Sequence, residues 1–202
     1  MRWPDVLGVG RIGPAFTDPV HDAQACFRSL LDAMAHPGRI VAMAAAPVET
    51  PPLLGPAAAA VALTLCDNDT PVWLSAGLDP VRGYLTLHCA ATFASHPAEA
   101  RFAFVADPGE LPDLDRFALG TDEYPDRSAT LVIQVPGLIA GSGRLLRGPG
   151  IRGDARLDVR GLPDQFWVER AALAELFPCG LDMVFTAGRE LAALPRSITV
   201  IG

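Results

Sequence analysis

Gly120-Thr121-Asp122-Glu123-Tyr124-Pro125-Asp126-Arg127-Ser128-Ala129-Thr130-Leu131-Val132-Ile133-Gln134-Val135 places acids, a turn, an arginine and a hydroxyl directly before an apolar run. The acids from Asp122 to Asp126 read as a solvated loop, Tyr124-Pro125 favours an extended turn, and Thr130 to Val135 has the composition of a buried strand. Working outward, Val72 to Ser75, Leu85 to Cys89 and Phe102 to Val105 read as further strands, the last two by apolar alternation. Arg144 to Arg147 and Leu157 to Val159 add two more. Met183 to Thr186 and Glu190 to Leu194, joined through Ala187-Gly188-Arg189, predict a hairpin, and Ile198 to Ile201 a last strand.

Helices alternate with these strands. Val20, Ala23, Phe27, Leu30, Leu31 and Met34 fall on one helical stripe, with Asp18-Pro19 as a start signal and His36-Pro37-Gly38 as a stop. A proline-rich connection, Pro47 to Pro56, leads to an alanine-rich helix from about Ala57 to Cys66. Asp164 to Phe177, closed by Pro178-Cys179-Gly180, predicts a third helix. The order of elements fits one α/β domain over residues 16–202, a mixed sheet with helices packed on it, after a flexible leader at 1–15.

The chain has 202 residues, half of them apolar, enough to bury a core without metal or disulfide staples. Its apolar stretch Ala57 to Leu65, broken only by Thr64, is far short of the ~20 residues needed to span a bilayer. Met1-Arg2-Trp3-Pro4-Asp5 lacks the pattern of a secretory signal, so the expected location is the cytoplasm. Cysteines 26, 66, 89 and 179 form no close pair, and histidines 21, 36, 88 and 96 have no metal-ligand spacing, so the cysteines read as reduced and structural and no metal site is expected. All 16 basic residues are arginine. Without lysine neither a pyridoxal phosphate Schiff base nor a Walker-type phosphate loop can be built. A net charge of −7 argues against nucleic acid as a partner.

Several motifs have both a chemical and a structural reading. Gly8-Val9-Gly10-Arg11-Ile12-Gly13 spells the dinucleotide fingerprint, but Pro4 interrupts the strand that should precede it, and Pro14 and Pro19 flank a short link to a separately capped helix, which favours a flexible leader. Asp67 and Asp69 sit in a turn where two carboxylates can hold a hard cation or orient a partner's arginine; a capped, solvated turn is the structural alternative. Arginines 144, 147, 152, 156 and 160, against Asp154 and Asp158, form the basic region of an acidic chain. Within it, Arg147-Gly148-Pro149-Gly150-Ile151 reads either as a phosphate cradle or as a tight glycine turn whose arginine pairs with an acid. Arg127-Ser128 and Arg196-Ser197 add phosphate contacts if they converge, although Arg196 fits an ion pair equally well. Gly141-Ser142-Gly143 lacks the framing of a nucleophile elbow. No residue stands out as catalytic.

The opening stretch, together with Asp18-Pro19-Val20-His21-Asp22-Ala23-Gln24, Ala33-Met34-Ala35-His36-Pro37-Gly38, Asp67-Asn68-Asp69-Thr70-Pro71-Val72-Trp73-Leu74, Arg147-Gly148-Pro149-Gly150-Ile151 and Leu194-Pro195-Arg196, resembles the PhnH family, the H subunit of the carbon-phosphorus lyase system. The resemblance runs in order from about Phe16 to Val200. It implies a three-layer α/β/α sandwich similar to the large domain of pyridoxal phosphate-dependent transferases, without that cofactor, and a homodimer when isolated. It also implies membership of a complex with the G, I, J and K subunits, with a functional link to L, that transfers an alkylphosphonate to ribose C1' of ATP with release of adenine. ATP is then a co-substrate, and no cofactor is covalently bound. The other implied role is that of a non-catalytic assembly subunit that docks the I subunit. A third reading, an independent nucleotide-binding protein, requires ATP affinity without partners.

Overall fold

The computed structural model describes residues 12–201. Six strands form the main sheet: β1 (Val41–Ala42), β2 (Val72–Leu74), β3 (Phe102–Val105), β4 (Thr130–Gln134), β7 (Asp182–Ala187) and β8 (Glu190–Leu194), in the order β1-β8-β7-β4-β3-β2. The strands β2, β3, β4 and β7 run parallel, while β8 is antiparallel to both of its neighbours, so the sheet is mixed. The expected hairpin is β7–β8, with Gly188 at φ +60° in its turn.

In β4, Val132 faces one apolar cluster and Leu131 and Ile133 the other, which is why this strand is continuously apolar. On Val132's side lie α1 (Pro19–Ala35), α2 (Pro56–Leu65) and α3 (Arg82–Cys89). The opposite face is covered by α4 (Asp164–Ala174) and by a separate three-stranded antiparallel sheet, ordered β6-β5-β9, of β5 (Leu138–Arg147), β6 (Ala155–Val159) and β9 (Thr199–Ile201). Sequence reading did not separate this second sheet from the first. It packs through Leu146, Leu157 and Val159 against the main sheet, and β5 carries a bulge between Ala140 and Arg144 where Gly141 and Gly143 take positive φ.

The helix α1 starts as expected: Asp18 caps it, accepting from the His21 N–H at 3.1 Å, and Pro19 takes its first position. Its buried face is different. The helix buries Cys26, Ser29, Leu30 and Ala33, and leaves Val20, Phe27 and Leu31 exposed. Small side chains let α1 approach the alanine run of α2, Ala57 to Ala62, all of it buried. Cys26 Sγ and Ser29 Oγ then satisfy themselves on the carbonyls of Ala45 and Ala25.

Leu85 to Cys89 is helical, not the expected strand: in α3 Tyr84 and Leu85 are buried and Leu87 points to solvent. A strand would have turned Leu85 and Leu87 to the same side. The leader is held at its end, where the carbonyls of Pro14 and Ala15 accept from the N–H groups of Glu49 and Val48. Residues 8–11 of the glycine fingerprint, like the rest of 1–11, lie outside the described residues.

Candidate functional site

In open α/β sheets ligands usually bind beyond the carboxyl ends of parallel strands. Here Gln134, the last residue of β4, ties that edge together. Its Oε1 accepts from the Gly55 N–H at 2.6 Å, and its Nε2 donates to the carbonyls of Leu53 at 2.8 Å and Ala106 at 3.4 Å.

Two pairs of candidate residues and Arg196 instead lie around the amino ends of the parallel strands. Asp67 and Asp69 precede β2. They form a self-capped turn: Asp67 Oδ1 accepts from the Asp69 N–H at 2.9 Å and from Thr70 Oγ1 at 3.0 Å, while Thr70 Oγ1 accepts from the Asp67 N–H at 2.7 Å. Both aspartates are exposed, and among the described residues no three His, Cys, Asp or Glu side chains cluster as metal ligands. Arg127 and Ser128 precede β4. The Arg127 guanidinium lies 3.9 Å over the Tyr124 ring, and Ser128 Oγ is buried with no hydrogen-bond partner among the described residues.

Arg196 follows β8 and turns back to Asp182 at the start of β7. The two side chains are only 17% and 18% exposed, and Arg196 Nη2 meets Asp182 Oδ2 at 2.5 Å. Arg196 Nη1 also donates to the Pro125 carbonyl at 2.5 Å, and the Arg196 N–H donates to Asp182 Oδ1 at 2.8 Å. One guanidinium therefore joins the turn before β4, the start of β7 and the segment after β8. The 125–128 turn and Arg196 do converge, but Arg196 is committed to protein groups.

Behind this segment stands Arg170 of α4, 1% exposed, whose Nη2 donates to the carbonyls of Pro195, Arg196 and Ile198 at 2.9, 3.3 and 3.0 Å. Burial holds its pKa below the usual arginine range, and Asp182 partly offsets that effect. Sequence analysis missed Arg170, Asp182 and Gln134. For Arg170 a signal existed: Phe166, Arg170 and Leu173 share helical spacing, which puts an arginine on a core-facing stripe.

The glycine turn after β5 is accounted for by packing. A Cβ on Gly150, which sits at φ +82°, would overlap the Ala35 carbonyl oxygen at the end of α1. One on Gly148 would meet Ile198 Cδ1 at 2.8 Å. Arg147 is paired with Asp154 through Nε to Oδ1 at 2.6 Å and Nη2 to Oδ2 at 3.3 Å. That hydrogen-bonded pair raises the arginine's pKa and lowers the carboxylate's, while both stay largely in solvent.

Other arginines of the basic region surround a groove of about 550 Å³ between the small sheet and α4. Arg144, Arg156 and Arg160 line it with Asp158, Asp164 and Trp167. Arg147 is not part of this wall.

A family profile described as "Bacterial phosphonate metabolism protein (PhnH)" matches residues 14–201. The chain belongs to the PhnH family. It is 47% identical over 187 residues, 91% of this chain and 92% of the relative, to "Alpha-D-ribose 1-methylphosphonate 5-triphosphate synthase subunit PhnH" of Rhizobium meliloti (strain 1021). It is 31% identical over 175 residues, 86% of this chain and 83% of the relative, to the "Putative C-P lyase subunit protein HtxG" of Stutzerimonas stutzeri. The PhnH profile therefore spans both sheets, all four helices and every candidate residue above. Among the described residues no helix is long and apolar enough to cross a membrane.

Proposed function

We propose that this chain is the H subunit of alpha-D-ribose 1-methylphosphonate 5-triphosphate synthase in the carbon-phosphorus lyase pathway. The observation that carries this reading is the 47% identity, over 92% of its length, to the Rhizobium meliloti subunit of that name. In the reaction an alkylphosphonate oxygen attacks ribose C1' of ATP and adenine leaves. Such a displacement needs the attacking oxygen aligned behind the glycosidic bond and cations around the triphosphate. The arginines between 144 and 160 are this chain's means for the second task.

In this reading the G, I, J and K subunits are partners, L is a functional associate, ATP is a co-substrate, and the complex acts in the cytoplasm. The layered arrangement, helices α1 to α3 on one face of a mostly parallel sheet and α4 with the small sheet on the other, supports a likeness to the large domain of pyridoxal phosphate-dependent transferases. The isolated chain forms a homodimer.

A second reading makes the chain an assembly subunit that docks the I subunit without touching substrate. It is favoured by the internal commitments of Arg147 and Arg196 and by the exposed Val20, Phe27 and Leu31 of α1. One experiment separates the two. Methylphosphonate-dependent release of adenine from ATP is followed in the G, H, I and L mixture, with this chain intact, omitted, or carrying Arg144→Ala or Arg156→Ala. Loss on omission supports the synthase reading, and unchanged release without this chain refutes it. A variant that assembles but does not turn over assigns this chain a part in the chemistry; full turnover in both variants favours assembly.

A further inference from the structure

We propose that the groove between the small sheet and α4 is a nucleotide site, in which Arg144, Arg156 and Arg160 hold the polyphosphate and Trp167 carries the base. The sequence distributes these residues over three elements, β5, β6 with the turn after it, and α4; the fold brings them to one wall. The volume, about 550 Å³, lies within the usual range for small-molecule sites, ~300–1,000 Å³.

Among the described residues of the groove three arginines face two aspartates, a local positive excess in a chain of net charge −7. Their present partners are easily exchanged. Arg144 pairs at 2.9 Å with Asp164, whose side chain is 96% exposed and stays hydrated when the arginine leaves. Arg160 reaches Asp158 only at 4.0 Å, and Arg156 donates to the Gly143 carbonyl at 2.9 Å while keeping further donors. Exposed pairs of this kind are weak in water, whereas phosphate oxygens accept from guanidinium groups through parallel, charge-assisted bonds.

The aromatic half of the site is preorganised. Phe166 packs edge-on against Trp167 at 4.9 Å between ring centroids and 88° between planes, which fixes the indole, and the Arg144 guanidinium lies 5.6 Å from its centroid. An aromatic surface beside clustered guanidinium groups matches a base joined to a phosphate chain. The choice of ATP among nucleotides rests on the synthase reading; the groove itself does not.

The test is calorimetric titration of the full chain alone, since one chain forms the whole groove, with ATP, inorganic tripolyphosphate and adenosine. The expected result is binding of ATP and, more weakly, of tripolyphosphate. Arg144→Ala and the exposed Arg160→Ala each weaken both by about tenfold or more. Trp167→Leu weakens ATP about fivefold or more and leaves tripolyphosphate unchanged. Thermal melts of the same samples establish that each variant is folded, and Arg160→Ala decides the matter if Trp167→Leu is not. Absence of ATP binding, or affinities within twofold of the parent in Arg144→Ala and Arg160→Ala, overturns the proposal. So does loss of binding in Arg147→Ala alone, which would place the anion on the glycine turn. Adenine release by the assembled complex is read separately and bears only on the synthase reading.

Discussion

Replacing Arg196 by Ala distinguishes a clamp from a ligand-binding residue. The guanidinium makes three contacts with Asp182, at 2.5 Å from Nη2 to Oδ2 and at 3.2 and 3.3 Å from Nε, and one with the Pro125 carbonyl at 2.5 Å. Without it, a carboxylate only 18% exposed keeps a single donor among these contacts, the backbone N–H of residue 196 at 2.8 Å, and the Pro125 carbonyl loses its partner. Removing one member of a buried pair costs ~3–5 kcal/mol, and the partial exposure places this one near the lower end, about 3 kcal/mol. For a domain of this size 1 kcal/mol corresponds to ~2–4 °C, so the melting temperature should fall by about 6–12 °C. Urea denaturation should show a lower midpoint with an unchanged slope, and ATP affinity of the folded fraction should stay within twofold. A loss below about 1 kcal/mol, with ATP binding abolished, would refute the clamp and return Arg196 to the list of ligand contacts.

Arg170→Met strips three carbonyls of their shared donor and should cost about 3 kcal/mol by urea denaturation, at ~1 kcal/mol for each acceptor left unpaired. Gly150→Ala should destabilise by at least about 2 kcal/mol, because the residue sits at φ +82° and its Cβ would overlap the Ala35 carbonyl; a neutral effect would mean that the turn is free to move. Leu30→Ala should cost ~2–3 kcal/mol, while Phe27→Ser and Leu31→Ser should stay within about 0.5 kcal/mol, an ordering that reverses if α1 is rotated on the sheet. Burial pushes the Cys66 thiol far up and Cys89 up to about 11, so at pH 8 both stay in the thiol form. A disulfide reagent should therefore modify Cys179 first. The Cys89 rate should climb as the pH approaches 11, and rapid modification of Cys66 or Cys89 at pH 8 would contradict the burial.

What the sequence disclosed depended on how directly local pattern reports burial. The strand Thr130–Gln134 was legible because both of its faces are covered, so every residue of Leu131-Val132-Ile133 is apolar. On α1 the boundaries were legible from Asp18-Pro19 and His36-Pro37-Gly38, but the buried face was not. Hydropathy favours Phe27 and Leu31 over Ser29 and Cys26, whereas close helix packing against alanines favours the smaller side chains. Leu85 to Cys89 misled because alternation over five residues fits a strand, although Leu78, Val81 and Leu85 already stood at helical spacing. The small sheet was hidden by topology, since pairing of Leu145 with Ile201 spans the length of a further helix and hairpin. At the site, residue types were legible but partners were not. The Arg147–Asp154 pair is local enough to expect, while Arg196–Asp182 and the meeting of Arg144 with Trp167 depend on tertiary placement.

The position of β8 has a consequence for the order in which the chain acquires structure during synthesis. Among the described residues β1 hydrogen-bonds only to β8, and α1 lies over the same strand, so elements made first wait for residues 190–194 before they gain a sheet. β5 likewise presents one unpaired edge until Thr199 to Ile201 are available. For most of translation the nascent chain therefore displays a bare strand edge and an uncovered helix face, both prone to wrong association. A chain stopped before Glu190 should be a client of chaperones and a source of aggregates, even though it retains three of the four parallel strands' pairing partners in full.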